Sequence, residues 1–263
     1  DLLELCTLAS GSSGNCALAT DGRTHILIDA GISARRICRS LTDLGVEPRS
    51  VSGILITHEH SDHICGLATL TKQLRLPVYA SRSTGRQLSY RIAFLEEVLR
   101  PFQPGEAFAV GDLEIGAFPT PHDTAGSCGY TVSDGRHKLA VVTDLGYVSD
   151  DVLDGILGAD LVVCESNHDV EWLQAGPYPY FLKSRILGEQ GHLSNEAGAA
   201  LARRCVEAGA HTILLAHLSR ENNTPARALQ TTRTTLSAAG IDPDRDITLA
   251  VAPRAETSPC YEV

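Results

Sequence analysis

The sequence predicts an α/β (α+β) chain in which two β-sheets pack together with helices outside them. Three observations carry this. Short apolar or alternating runs give way to alternating helical and strand-like segments, and that order recurs roughly twice along the 263 residues. No Pro/Gly/Ser-rich linker or low-complexity tract interrupts the chain, so one domain spanning 1–263 is expected. A hydrophobic content of 43% with 21% charged residues is ordinary for a soluble globular protein and excludes wholesale disorder.

The elements follow in order. Leu2–Leu8, Cys16–Thr20 and His25–Asp29 read as strands separated by the turn signals Gly11–Asn15 and Asp21-Gly22. Ser33 can cap a helix whose apolar face is Ile37, Leu41 and Leu44 and which Gly45 can end. Val51–Thr57 is a buried-type strand, Ile64–Leu74 an amphipathic helix, with a strand near Val78 and a helix from about Thr84. Ala107–Val110, Leu113–Phe118, Gly129–Ser133 and Lys138–Thr143 read as consecutive antiparallel strands turning at Gly111-Asp112 and Asp134-Gly135. Alternation then returns: helix Asp151–Leu157, strand Leu161–Cys164, helix Asn195–Ala208, strand Thr212–Ala216, helix Pro225–Ala239 and strand Ile247–Val251.

The formal charge is −10, which excludes a protein that holds nucleic acid by bulk positive charge; any such role needs a local site. No apolar run approaches the ~18–20 residues of a membrane helix, so no membrane association is expected. No basic segment leads into an apolar stretch, and no signal peptide is expected. The eight cysteines are scattered, without CxxC, mostly inside apolar runs. They read as free thiols of a reducing compartment, and the cytoplasm is the expected location.

The densest chemistry is His58-Glu59-His60-Ser61-Asp62-His63, where a strand runs into a helix. On extended chain, residues two apart point the same way, so His58 and His60 can share one ion, while Asp62 and His63 turn toward a neighbouring position. Imidazole and carboxylate suit zinc or another first-row divalent ion. His122, Asp144 and His217 each follow an apolar strand, where a metal site would need them.

These residues, with the strand-end Asp29, resemble the metallo-β-lactamase superfamily across essentially the whole chain. The resemblance implies a four-layer αββα sandwich, the metallo-β-lactamase fold, with two divalent ions (Zn²⁺ or Mn²⁺) at one edge of the sheets. It places His58, His60 and His122 on the first ion, Asp62, His63 and His217 on the second, and Asp144 between them. Asp29 would orient the cluster loop from behind. Two ions would move the charge from −10 to about −6 and leave a cationic centre in an acidic shell. Such a centre can acidify a bridging water to a pKa of roughly 7 and clamp the oxygens of a phosphodiester.

His217 lies only 73 positions after Asp144, which leaves no room for the large cap of the β-CASP nucleases. The segments Leu8–Cys16, Cys164–Asp169 continuing to Gly191-His192-Leu193-Ser194-Asn195, and Ala216–Asn223 closely resemble the WalJ/YycJ-type exonucleases. That implies 5′→3′ degradation of DNA, a link to mismatch repair, and a nucleic-acid substrate. Glu165 and His192 also resemble the acid pair of RNase Z-type enzymes, His192 protonating the leaving oxygen with Glu165 behind it; with Asp62 they form the catalytic set. Ser12, Asn15, His168, Lys183, Arg185 and Arg220 are candidate substrate contacts. Arg35, Arg36 and Arg39 read as an exposed helix face, and His25, His137 and His211 as structural. An RNase Z-like RNA nuclease, a small-molecule metallohydrolase acting on a lactone, thioester or cyclic nucleotide, and a metal-bound scaffold without turnover are the competing readings.

Overall fold

A computed structural model describes residues 2–263; Asp1, the first residue of the expected domain, lies outside them. The first sheet holds β1 (Glu4–Ala9), β2 (Cys16–Thr20), β3 (His25–Ile28), β4 (Gly53–Leu55), β5 (Val78–Ser81) and β6 (Leu99–Phe102). The second holds β7 (Ala107–Val110), β8 (Leu113–Pro119), β9 (Cys128–Ser133), β10 (Lys138–Val142), β11 (Leu161–Glu165), β12 (Thr212–Ala216) and β13 (Thr248–Val251). A two-residue strand, β14 (Tyr261–Glu262), returns to the outer edge of the first sheet beside β1.

Among the described residues each sheet has seven strands and the same plan. Strand pairing is antiparallel from β14 to β3 and from β7 to β10, then parallel from β3 to β6 and from β10 to β13. Parallel neighbours need crossovers, and helices supply them. On the first sheet these are α1 (Ala34–Asp43), the short α2 (Ser61–Ile64), α3 (Leu67–Leu74) and α4 (Arg82–Arg91). On the second they are α5 (Asp150–Ile156), α6 (Val170–Ala175), α7 (Tyr180–Leu187), α8 (Asn195–Glu207) and α9 (Pro225–Ala238).

The period of two along each strand sorts side chains into layers. Ile26 and Ile28 of β3 face Tyr130, Val163 and Leu214 of the second sheet, whereas Leu27 faces the helices with Ile37, Leu41, Leu67 and Leu88. Val142, Val162 and Ile213 pack outward on Val152, Leu201 and Leu236. The result is the expected αββα sandwich. The parallel strands of both sheets end along one common edge.

Two expectations need correction. The helix expected over Ile64–Leu74 is broken into α2 and α3, because Gly66 lies flat on the Ile32 carbonyl, 2.0 Å from where a Cβ would be. The cysteines are not all free: Cys6 and Cys260 are joined by a disulfide across 254 residues. Pairing of β14 with β1 brings those two thiols together, which no local pattern reveals. Cys16, Cys128, Cys164 and Cys205 are buried free thiols as expected, and Cys65 is an exposed one. Among the described residues no helix is long and apolar enough to cross a membrane.

Candidate metal centre

The chemistry-bearing residues gather where strands end. Asp29 follows β3, His58 and its loop follow β4, and His122, Asp144 and His217 follow β8, β10 and β12. At three of these exits the backbone turns through the left-handed region at a residue other than glycine: φ is 63° at Asp29, 61° at Asp144 and 59° at His217. Such a turn costs roughly 1–3 kcal/mol, and it persists where surrounding contacts hold it. Here it carries each side chain off the end of its strand toward the cluster at the common edge.

Three histidines are held the same way by hydrogen bonds at Nδ1, and His217 stands with its Nδ1 against a carboxylate. Thr57 Oγ1 donates to Asp29 Oδ2 (2.8 Å), so the His58 Nδ1, 2.9 Å away, must donate to Thr57 Oγ1. His63 Nδ1 lies 2.6 Å from Asp29 Oδ2, and Asp29 Oδ1 accepts from the Thr57 amide (2.8 Å). His122 Nδ1 donates to the Gly191 carbonyl (3.1 Å), and His217 Nδ1 lies 3.2 Å from Glu165 Oε2. With Nδ1 carrying the proton, each Nε2 is left as a lone pair. All four point at Asp144: Nε2 of His58, His63, His122 and His217 lie 3.9, 2.9, 3.6 and 3.5 Å from its carboxylate oxygens.

Lone pairs facing a carboxylate repel unless a cation lies between them. Burial opposes a charged imidazole, yet Asp144 and Asp29 outweigh it at His63, whose pKa is held well above the usual value. At His217 Asp144 and then Asp62 and Glu165 push the pKa up to about 10 against burial. At His58 burial prevails, aided by the neighbouring histidines, and its pKa falls well below normal. His58 Nε2, His122 Nε2 and Asp144 Oδ2 remain buried without any hydrogen-bond partner. Orphaned acceptors gathered around buried carboxylates are the donor set of a divalent cation. Ligand atoms of His58, His60 and His122 lie within 4.8 Å of one another, as do those of Asp62, His63 and His217, and those of His58, His63 and Asp144. The residues fit divalent metal.

Glu165 and His192 complete the pocket. Glu165 is fully buried. Its Oε1 accepts from the amides of Leu145 (2.9 Å) and Leu193 (3.0 Å), and His192 Nδ1 lies 2.9 Å from its Oε2. Burial would raise the Glu165 pKa, but the His192 charge and hydrogen bonds from His192 and His217 lower it. In return Glu165 raises His192 against burial. His192, Asp62, His60 and Asp144 line an open cleft of about 330 Å³.

The remaining candidates divide. Ser12 and Arg185 line the cleft. Asn15 spends its amide on the Gly11 turn and on the Asp62 carbonyl, so it braces a cluster residue. His168 is buried behind the cleft wall, beside Asn167 Oδ1 (3.1 Å) of a lining residue, and burial lowers its pKa to about 4. Lys183 donates to the Gln174 carbonyl (2.7 Å) on the far side of α7, and Arg220 is exposed beyond the cleft lining. Structural roles hold for His25, beside Thr20 Oγ1 (2.7 Å), and for His211, beside Thr212 Oγ1 (2.9 Å). Asp123, missed in the sequence, sits 3.0 Å from His60 Nε2 and forms an ion pair with Arg185; adjacency to His122 was its only signal.

Fold and site together define a metal-dependent hydrolase of the metallo-β-lactamase superfamily. Residues 24–218 match the family described as Beta-lactamase superfamily domain. The metallo-β-lactamase fold protein YhfI from Bacillus subtilis superposes with a TM-score of 0.73 at 17% identity, covering 100% of each chain, a likeness of fold. Exodeoxyribonuclease YycJ of Bacillus anthracis is 40% identical over 222 residues, 84% of this chain and 84% of the relative. Exodeoxyribonuclease WalJ of Streptococcus pneumoniae is 38% identical over 220 residues, 82% of this chain and 81% of the relative. The chain belongs to the YycJ/WalJ family of the metallo-β-lactamase fold.

Proposed function

We propose that the protein is a dinuclear-metal phosphodiesterase that degrades DNA from the 5′ end, acting in the cytoplasm in mismatch repair, with residues 1–263 as one catalytic domain. The observation that carries phosphodiester cleavage is His192 on the wall of the metal cleft with the buried Glu165 behind it. Lactone and thioester hydrolysis would not need such a donor at the leaving group. DNA as substrate is supported by membership of the family whose relatives are named exodeoxyribonucleases; the repair link rests on the sequence resemblance alone.

In this reading His58, His60 and His122 would hold one ion and Asp62, His63 and His217 the other, with Asp144 within reach of both. Zinc or manganese suits the ligands. When bound, the two ions supply Lewis acidity at the phosphate and a low-pKa water. The chain's own residues do the rest. Asp29 and Thr57 hold His63 and His58 in the tautomer that offers Nε2. Glu165 fixes His192 Nδ1. His192 then gives its Nε2 proton to the 3′-oxygen as the P–O3′ bond breaks, releasing a 5′-mononucleotide. Such a donor contributes about 10²–10⁴-fold.

The test uses metal-stripped protein reloaded with Mn²⁺ or Zn²⁺ and 5′- or 3′-labelled DNA and RNA, single- and double-stranded. Mononucleotides from the 5′ end of DNA are expected. Release from the 3′ end alone overturns the polarity, preference for RNA overturns the substrate, and turnover of lactones or thioesters without nucleic-acid cleavage overturns the reading.

A further inference from the structure

We infer that one side of α4 is a binding track for a single strand of nucleic acid leading into the metal cleft, an inference that rests on the nuclease reading above. The chain is acidic overall, with a charge of −10, yet α4 carries Arg82, Arg86 and Arg91 and no acid. Arg82, Arg86 and Tyr90 recur every four residues and so share one side of the helix, spaced by about 6 Å along its axis. Arg82 and Arg86 are exposed, and neither makes an ion pair or side-chain hydrogen bond with any described residue. Tyr90 is 89% exposed, presenting a flat aromatic face to solvent.

The three residues border a groove of about 640 Å³ between α4 and the edge strand β6, floored by Gly85, Leu99 and Pro101. That volume lies within the range of small-molecule pockets and can admit a base. One acid, Glu96, borders it; its neighbour Glu97 is paired to Arg75.

The groove is placed to feed the cleft. Ser81 caps α4 where β5 ends at the metal edge, and its Oγ donates to the Gly126 carbonyl (2.8 Å) of the loop that carries His122. At the other end Arg91 donates to the Glu59 carbonyl (2.7 Å) inside the metal loop. Arg91 and Arg185 share a depression with His60 and Asp62, and Arg185, His60 and Asp62 also line the metal cleft. A strand whose terminal phosphate sits at the metals can therefore run past Arg91, stack a base on Tyr90, and set further phosphates on Arg86 and Arg82. Guanidinium groups on phosphates and an aromatic under a base are the usual means of holding single strands without reading sequence.

The test measures binding of a fluorescent single-stranded DNA to metal-stripped protein by anisotropy across a salt series. Arg82→Ala with Arg86→Ala should flatten the slope of log Kd against log salt by about 1.4, at about 0.7 per lost phosphate contact. Tyr90→Ala should weaken binding about 5- to 150-fold at fixed salt. Arg35→Ala with Arg39→Ala, on exposed positions of α1, removes the same charge and should change neither. Arg82→Glu with Arg86→Glu should abolish what the alanine pair weakens. Parent-like binding and salt slope in both Arg82/Arg86 variants would overturn the track even if the protein cleaves DNA from the 5′ end. A parent protein that binds DNA through α4 but cleaves no nucleic acid would overturn the nuclease reading instead.

Discussion

Asp29→Asn isolates the support beneath the metal residues. The Asp29 carboxylate is buried and accepts three hydrogen bonds, from the Thr57 amide, Thr57 Oγ1 and His63 Nδ1. An asparagine keeps one acceptor, which can stay on the Thr57 amide. Its NH₂ then replaces the oxygen that faces two donors. Thr57 Oγ1 can rotate its hydrogen away, but His63 must either leave Nδ1–H against a donor or shift its proton to Nε2. The first leaves a buried donor unsatisfied and costs about 1–3 kcal/mol. The second blocks the atom that faces the metal position, and loss of such an outer partner typically costs 10–100-fold in metal affinity. Competition with a chromogenic chelator should therefore show one ion weakened by that factor and the other nearly unchanged, with a modest fall in apo-protein stability. Parent-like affinity for both ions would refute the tautomer argument.

Gly31→Ala should unfold or strongly destabilise the protein, because its Cβ would lie 1.8 Å from the Asp62 carbonyl oxygen; a parent-like melting temperature would contradict that packing. His192→Ala should cut DNA turnover by about 10²–10⁴-fold yet cost far less with a 4-nitrophenolate leaving group, which needs little protonation; equal losses on both substrates would point to a structural His192. Breaking the Cys6–Cys260 link, by Cys6→Ala or reductant, should lower stability by about 2–4 kcal/mol in urea titration. Identical curves with and without reductant would mean that the bond contributes nothing.

Much of the architecture was legible because hydrophobic period and turn chemistry agree locally: β2, β7 and β12 begin and end where the sequence pattern places them. The metal residues were legible because six adjacent positions carry three imidazoles and two acids. What escaped is non-local or unpatterned. β6 contains Pro101 and two exposed residues, so it reads as loop until β5 supplies its ladder. α7 buries no residue fully and therefore shows no apolar stripe. Asp123 and the disulfide depend on neighbours 62 and 254 residues away. Asn15 carries no local sign that its amide is spent on the Gly11 turn and the Asp62 carbonyl, contacts visible only in three dimensions.

The left-handed turns at Asp29, Asp144 and His217 restrict how this chain can change over generations. At each of them the backbone admits glycine, asparagine, aspartate or histidine far more readily than a β-branched residue. Genetic drift at these positions is thus steered toward replacements that keep the backbone and discard the acid or the imidazole. Descendants that lose catalysis by this route would retain the sandwich, so a silent copy of the protein would stay folded and open to selection for another task.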